Sequence, residues 1–240
     1  MYIGFASMYD ELMENIPYQA WGGYIKNILH NHEAKLVLDM ACGTGTITTM
    51  LAQAGFDMIG VDSSIDMLNE AQQKMYDAGQ NILFLAQDMR ALDLYGTIDA
   101  AISVCDGLNY ILEAGELEDI FKKVKLFLNP GGLFIFDMVT EYKFTEILGQ
   151  KSFEASTKDG GGYEMDNNYN PHTKINQYRI LFKDPILGEE FLEVHEQRAY
   201  AMEEIVQLLQ VAGFADVKAF HEYTDTPPRA DSVRITYIAQ

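Results

Sequence analysis

The chain has 240 residues, 48% of them hydrophobic, and its 36 Asp and Glu against 17 Lys and Arg give a formal net charge of −19. This length and apolar content suit one large α/β domain, or a core domain with an insertion, and exclude a wholly disordered chain. The acidic balance argues against nucleic acid as the main partner, because phosphate binding needs a basic surface.

The start of the chain, its apolar runs and its cysteines bear on where the protein resides. The opening MYIGFASMYDELMENI lacks a basic segment followed by an apolar core, and no apolar run approaches the roughly 20 residues that cross a bilayer. Cys42 and Cys105 give no disulfide framework and fit a reducing compartment. These features predict a cytoplasmic protein without a membrane partner.

Apolar runs alternate with helix-like segments in the first part of the chain. The runs predict strands buried on both faces of a parallel sheet, at 35–40, 57–62, 82–87, 100–105 and 132–138. Helices are predicted between them at 45–54, 64–78 and 116–128. Either Ser63 or Ser64 suits the N-cap of the second helix, and NPGG (129–132) is typical of a turn. This alternation predicts a doubly wound parallel sheet with right-handed crossovers.

The pattern changes after Asp137. Residues 152–200 contain stretches rich in Phe, Tyr, Ile and Val with partial alternation, and turn signals separate these stretches. The turn signals are DGGG (159–162), NPHT (170–173) and DPILGE (184–189). This arrangement predicts an antiparallel β-meander.

We interpret the meander as an insertion at 151–200, serving as a substrate lid or as a dimer contact. The core domain is then 1–150 together with 201–240. Its last predicted elements are a helix at 202–214 and strands at 216–223 and 232–240. The sequence leaves open whether the protein is a monomer or a homodimer.

The segment VLDMACGTGTIT (37–48) runs from the first strand through a glycine turn into a helix, a context typical of nucleotide binding. It does not complete G-x-G-x-x-G, because Thr48 stands at the last position. Asp39 ends the strand where a dinucleotide would place its pyrophosphate, and two like charges at about 4 Å repel by roughly 4 kcal/mol. The turn therefore favours a ligand with a positive charge, such as an ammonium or sulfonium, over NAD.

Acidic residues also end the next two predicted strands. Asp62, 17 positions after Gly45, suits the hydroxyls of a ribose, and Asp88 suits an exocyclic amine. These strand ends share one edge of the sheet, where ligands bind in open α/β folds. A cation, a ribose and an adenine amine without phosphate together indicate S-adenosylmethionine.

The sequence resembles the class I S-adenosylmethionine-dependent methyltransferases. The resemblance lies in VLDMACGTG, GVD, AQDM, AISVCDGLNY and LNPGGLFIFD, within 35–138, and resumes in the C-terminal helix and strands. Ala41 stands where many members have a first glycine. The opening YDELM (9–13) resembles bacterial members whose N-terminal helices fold over the cofactor. The resemblance implies a Rossmann-like sheet of seven strands, mostly parallel with the last antiparallel.

The resemblance also implies roles at the cofactor. Asp39 would lie near the amino group, Asp62 at the ribose, and Asp88 at the adenine amine, with the Met89 N–H on the ring. The backbone of Cys105 would line the sulfonium side. The other residues assigned to this site are the turn residues Ala41, Gly43 and Gly45, the strand-end Ser63, and the candidate walls Tyr9 and Trp21.

Candidates for the substrate side lie after the fourth strand and in the insertion. Asp106, Tyr110 and His195 are candidate general bases, and Asn109 and Arg198 are candidate substrate contacts. For His195 and Arg198 a polar sheet face is an equal alternative. The remaining histidines have no spacing typical of a metal site.

We therefore expect an enzyme that transfers a methyl group from S-adenosylmethionine to N, O or S of a small molecule, leaving S-adenosylhomocysteine. One alternative keeps the chemistry and makes the acceptor RNA or protein. Another is a non-catalytic protein that binds S-adenosylmethionine, and an NAD-dependent oxidoreductase is a distant fourth.

Overall fold

A computed structural model describes residues 6–156, 160–183, 188 and 190–240. The strands are β1 (Leu36–Met40), β2 (Asp57–Asp62), β3 (Leu83–Ala86), β4 (Ile98–Ser103), β5 (Leu128–Val139), β6 (Ser152–Ser156), β7 (Gly162–Asn170), β8 (Ile175–Lys183), β9 (Glu190–Arg198), β10 (Val217–His221) and β11 (Arg234–Ala239). The α-helices are α1 (Ala6–Leu12), α2 (Tyr18–Asn31), α3 (Thr46–Gln53), α4 (Ile65–Asp77), α5 (Ala114–Phe127) and α6 (Met202–Val211).

Seven strands form one sheet in the order β10-β11-β5-β4-β1-β2-β3. All neighbours from β5 to β3 pair in parallel, whereas β11 is antiparallel to both β5 and β10. This sheet confirms the predicted fold class, including the antiparallel last strand. Its parallel strands end at one edge, which the crossover topology requires and where ligands bind in such folds.

Two apolar layers cover the two faces of this sheet. Along β5, the side chains alternate: Phe134 and Phe136 join the layer beneath α5 and α6, and Leu133 and Ile135 join the layer beneath α2 and α3. Alternation of this kind follows from the period-two geometry of a strand, and burial on both faces explains the continuous apolar runs. Among the described residues, no helix combines the length and apolarity needed to cross a membrane.

The boundaries differ from the predicted ones in one informative place. The predicted turn NPGG (129–132) lies inside β5, where pairing with β4 jumps from Ile98–Leu128 to Ala100–Leu133. The chain thus makes a wide bulge, with Gly131 at a φ of +80°, and rejoins the same sheet. The predicted cap of α4 is Ser64, whose Oγ accepts a hydrogen bond from the Met67 N–H at 3.3 Å.

The second sheet is the predicted antiparallel meander, in the order β6-β7-β8-β9. The predicted turn at 170–173 joins β7 to β8, with the Lys174 N–H bonded to the Asn170 carbonyl at 2.8 Å. Of the other predicted turns, 159–162 lies partly and 184–189 mostly outside the described residues. The inner face of this sheet packs on α1 and α4 at one end and on the end of β5 at the other.

A buried ion cluster joins β11 to the carboxyl edge of the parallel strands. Arg234 begins β11, and its guanidinium lies 2.6 Å from Asp106 Oδ1 and 2.8 Å from Asp137 Oδ2. The Tyr223 hydroxyl also donates a hydrogen bond to Asp137. Asp137 accepts hydrogen bonds from the backbone N–H groups of Cys105 at 3.3 Å and Asp106 at 2.7 Å. One guanidinium therefore bridges two carboxylates, and together they fix the loop after β4.

We expect Arg234→Met to lower the free energy of unfolding by about 3–5 kcal/mol, because it leaves two buried carboxylates without their cation. Urea denaturation measures the loss. The matched control is Arg229→Met, which removes an exposed ion pair with Asp231 and should cost no more than about 1 kcal/mol. Equal losses for the two variants would contradict the central place of this cluster.

Candidate functional site

The glycine turn between β1 and α3 has a backbone shape that few side chains tolerate. Ala41, Gly43 and Gly45 have φ of +59°, +53° and +69°, a region that strongly favours glycine. A Cβ on Gly45 would lie 2.9 Å from the Cβ of Ala71 and 3.3 Å from Phe84 Cζ. Gly45 is therefore fixed by packing against α4 and β3, which holds the rest of the turn open toward the sheet edge.

A cavity of about 270 Å³ lies along this edge, which we call the cofactor cavity. Ten of the residues predicted for the site line it, namely Tyr9, Asp39, Ala41, Gly43, Asp62, Ser63, Met89, Cys105, Tyr110 and His195. Gly45 supports the turn from behind. The structure thus brings the ends of β1, β2 and β4 together with residues of α1 and β9.

Asp39 is the buried carboxylate of this cavity. It is 2% exposed, and its Oδ2 accepts a hydrogen bond from Thr48 Oγ1 at 2.6 Å. Burial raises the pKa of Asp39 to about 7. The hydrogen bond from Thr48 opposes this rise, and the negative charge of Asp62 adds to it. A cationic ligand group would relieve this burial cost, so the site fits an ammonium or sulfonium.

Asp62 fixes the loop that follows β2. Its two oxygens accept hydrogen bonds from the N–H groups of Gly43 and Ser64, each at 2.8 Å. Burial raises its pKa, while these hydrogen bonds oppose the rise. Because each carboxylate oxygen has two lone pairs, Asp62 retains acceptor capacity for hydroxyls on the cavity side.

Asp88 lines a cavity of about 260 Å³ that adjoins the cofactor cavity. Both cavities are lined by Ala41, Asp62, Ser63, Met89 and Tyr110. The carboxylate of Asp88 forms an ion pair with Arg90, with 2.6 Å between Oδ2 and a guanidinium nitrogen. The hydrogen bond from Arg90 lowers the pKa of Asp88. Arg90 was not among the residues predicted for the site, although it lies two positions after Asp88.

Trp21 lies outside the cofactor cavity. Its ring stacks on Tyr223 with 4.7 Å between centroids, and the Arg234 guanidinium lies 5.0 Å from its centroid. Tyr18, one helical turn earlier, lines the cavity instead. The spacing of aromatic residues along α2 did not indicate which of their side chains faces the edge of the sheet.

The N-terminal helix α1 is tied across the glycine turn. Asp10 lies 2.6 Å from Lys74 Nζ on α4 and accepts a hydrogen bond from Thr44 Oγ1 at 2.6 Å. Lys74 also donates to Thr46 Oγ1 at 2.6 Å. These contacts place Tyr9 over the cofactor cavity.

A second cavity of about 250 Å³ lies between the two sheets, and we call it the acceptor cavity. It shares Tyr9, Cys105, Tyr110 and His195 with the cofactor cavity. Its other lining is mainly apolar and aromatic, and comes from the segment between α1 and α2, the segment before β6, and the inner face of the second sheet. These apolar and aromatic residues are Met13, Ile16, Leu148, Tyr163, Met165, Tyr178, Ile180 and Phe182.

Asp106 lies in this second cavity but is already engaged. Its oxygens accept hydrogen bonds from Arg234 at 2.6 Å and from Gln197 Nε2 at 2.7 Å. Burial alone would raise its pKa, but Arg234 and Lys143 hold it at about 2. A carboxylate with this pKa is a weak base, so the geometry does not favour Asp106 as the proton acceptor.

His195 and Tyr110 meet where the two cavities join. The His195 Nε2 lies 2.8 Å from Glu193 Oε2, two positions earlier on β9. The rings of Tyr110 and His195 are edge to face with 5.9 Å between centroids. A histidine held by a carboxylate has the form of a general base.

Asn109 and Arg198 contact the backbone of the fold and line neither cavity. The buried Asn109 amide bonds to the Val139 backbone at 3.0 and 3.1 Å and to the Arg198 carbonyl at 2.8 Å. Arg198 donates to the Leu112 carbonyl and pairs with Glu204 at 2.9 Å. These contacts give both residues a role in joining the second sheet to the core.

Comparisons with known proteins agree with this geometry. A methyltransferase-domain family model matches residues 37–132. The chain is 36% identical to the methyltransferase-family protein YqeM of Bacillus subtilis (strain 168), over 100% of this chain and 97% of that protein. It belongs to the class I S-adenosylmethionine-dependent methyltransferases. It is an enzyme of that class, and S-adenosylmethionine is its cofactor.

Two further matches describe the relatives of this methyltransferase. A crystal structure of an S-adenosylmethionine-dependent methyltransferase from Clostridium acetobutylicum ATCC 824 superposes with a TM-score of 0.88 at 29% identity, covering 100% of this chain and 98% of that one. Glycine/sarcosine N-methyltransferase of Parasynechococcus marenigrum (strain WH8102) is 28% identical over 55% of this chain and 48% of that protein.

Three polar residues of the acceptor cavity were not predicted from the sequence. Lys143, Gln197 and Arg234 line the acceptor cavity, and none of them lies within the motifs quoted from the sequence. Only the alternation of polar residues at 193, 195 and 197 within β9 could have signalled an inward polar row. No local pattern marks Lys143 or Arg234.

Asp62→Ala should weaken binding of S-adenosylhomocysteine roughly 10- to 150-fold, because a hydrogen bond to a charged group contributes about 1.5–3 kcal/mol. Titration calorimetry measures the affinity. The control is Asp57→Ala, an exposed residue at the other end of β2, which should bind as the unchanged protein does. Unaltered affinity in Asp62→Ala would refute the ribose assignment.

Binding of S-adenosylhomocysteine should weaken about tenfold from pH 8 to pH 6, because only the ionised form of Asp39 pairs with an ammonium and its pKa is about 7. The direction of the effect follows from the raised pKa of Asp39. When the pH falls below 7, the carboxyl group is mostly protonated and no longer pairs with the ammonium of the ligand. Calorimetry in buffers of different ionisation enthalpy should show proton release near pH 7. Asp39→Asn should abolish this dependence; its persistence would assign the proton to another group.

Proposed function

We propose that this methyltransferase acts on a nitrogen, oxygen or sulfur atom of a small molecule held in the acceptor cavity. The observation that supports this most is the junction of the two cavities at Tyr9, Cys105, Tyr110 and His195. An acceptor in one cavity would face a cofactor in the other across this junction. Such a placement supplies the proximity that methyl transfer needs.

The size and charge of the site favour a small acceptor. At about 250 Å³ the acceptor cavity is slightly below the range of drug-sized pockets, and the second sheet roofs it. The net charge of −19 disfavours a polyanion as substrate. The relative named glycine/sarcosine N-methyltransferase has a name that specifies a small acceptor, which is consistent with this proposal.

The residues of the chain would mainly align and enclose the reactants. Bound S-adenosylmethionine supplies an activated methyl group on a sulfonium, so orientation alone can contribute about 7–11 kcal/mol. The Asp10–Lys74 tie holds α1 over the junction, which would exclude water. When the nucleophile arrives protonated, His195, positioned by Glu193 at 2.8 Å, is the better placed base.

The test is a methyl-transfer assay with isotopically labelled S-adenosylmethionine. We expect label in members of a panel of small amines, phenols and thiols, with S-adenosylhomocysteine released in equal amount. Asp62→Ala, assayed at the same cofactor concentration, controls for contaminating enzymes and should lower the rate. Label confined to RNA or protein added in parallel would establish the alternative acceptor class, and cofactor binding without transfer to any acceptor would indicate a binding protein.

A further inference from the structure

The ammonium group of Lys143 lies at the acceptor cavity and has no hydrogen-bond or ion-pair partner among the described residues. It begins a single π-helical turn, Lys143–Leu148, between β5 and β6, and lines the cavity beside Asp106 and Arg234. Within the described ranges, its Nζ has no hydrogen bond and no carboxylate within ion-pair distance. Burial lowers its pKa, and the negative charge of Asp106 opposes the shift.

Arg234 and Asp106, which also line this cavity, are engaged in ion pairs. Arg234 contacts Asp106 at 2.6 Å and Asp137 at 2.8 Å. The second oxygen of Asp106 accepts from Gln197 at 2.7 Å. Lys143 adds a second positive charge near Asp106, but it forms no hydrogen bond there. Among the described residues that line the cavity, it is the lysine or arginine whose donors remain available to a ligand.

We propose that the acceptor is a small acid whose carboxylate or phosphate pairs with Lys143. This inference rests on the proposed function, because it concerns the acceptor of the same site. A buried ammonium is costly until an anion pairs with it, and a charge-assisted hydrogen bond is stronger than a neutral one. A cationic acceptor is disfavoured, since Lys143 would repel it.

The walls of the cavity define the rest of this acceptor. Tyr163, Tyr178 and Phe182 on the second sheet, with Met165 and Ile180 between them, offer aromatic and aliphatic surface to its body. The nucleophile would lie toward His195, at the junction with the cofactor cavity. An anionic head on an apolar or aromatic body matches this distribution.

The test measures binding of benzoate, phenyl phosphate and benzamide by calorimetry, with the protein saturated by S-adenosylhomocysteine. Benzoate or phenyl phosphate should bind at least about tenfold more tightly than benzamide, and whichever anion binds better identifies the acid. Lys143→Met should remove this preference, and Lys143→Arg should retain it. The matched control, Lys151→Met, alters an exposed lysine just after the same π-helical turn and should retain it too.

Three results would overturn the proposal: equal affinity for benzamide and the two anions, no binding of either anion, or an unchanged preference in Lys143→Met. Thermal unfolding of each variant verifies that it is folded. Binding of S-adenosylhomocysteine is measured first and reports separately on the proposed function. A protein that fails to bind it fails at the cofactor, whereas one that binds it and ignores the anions fails only at the acceptor.

Discussion

The pairing of Arg234 with Asp106 and Asp137 is the interaction on which the site depends. Asp137 holds the backbone N–H groups of Cys105 and Asp106, and both residues have positive φ, +64° and +55°. This strained turn lies at the junction of the two cavities, because Cys105 lines both of them and Asp106 lines the acceptor cavity. Because β11 is antiparallel, its first residue reaches the carboxyl edge of the parallel strands and delivers the cation there.

The acidic residues at the carboxyl edge of the parallel strands are stabilised in two different ways. Asp106 and Asp137 share the guanidinium of Arg234, and Lys143 adds a second positive charge near Asp106. Asp39 has only a hydroxyl donor, and Asp62 only backbone N–H groups, so their pKa values rise. The carboxylates of this edge therefore form two groups. Asp106 and Asp137 are ion-paired and shape the acceptor side, whereas Asp39 and Asp62 have no cationic partner among the described residues and favour a cationic ligand.

The second sheet reverses the usual alternation along β9. Glu193, His195 and Gln197 point inward and are buried, whereas Leu192 and Val194 point outward with about half of each side chain exposed (54% and 52%). Polar residues on an inner face weaken a core unless they serve a site. This reversal shows that the inner face of the sheet roofs the two cavities instead of closing a simple apolar core.

The sequence by itself determined the seven-stranded sheet and the antiparallel meander, since both depend on local period. It also predicted eight of the residues that line the cofactor cavity, most of which lie at or beside a strand end. It also indicated the cofactor, because Asp39, Asp62 and Asp88 follow successive strands. The tertiary structure decided the acceptor side. Lys143 and Arg234 come from distant segments, and Tyr18 replaced Trp21 because helix rotation depends on packing against Tyr223. Burial, charge pairing and cavity shape arise only when such segments meet, so no local pattern could specify them.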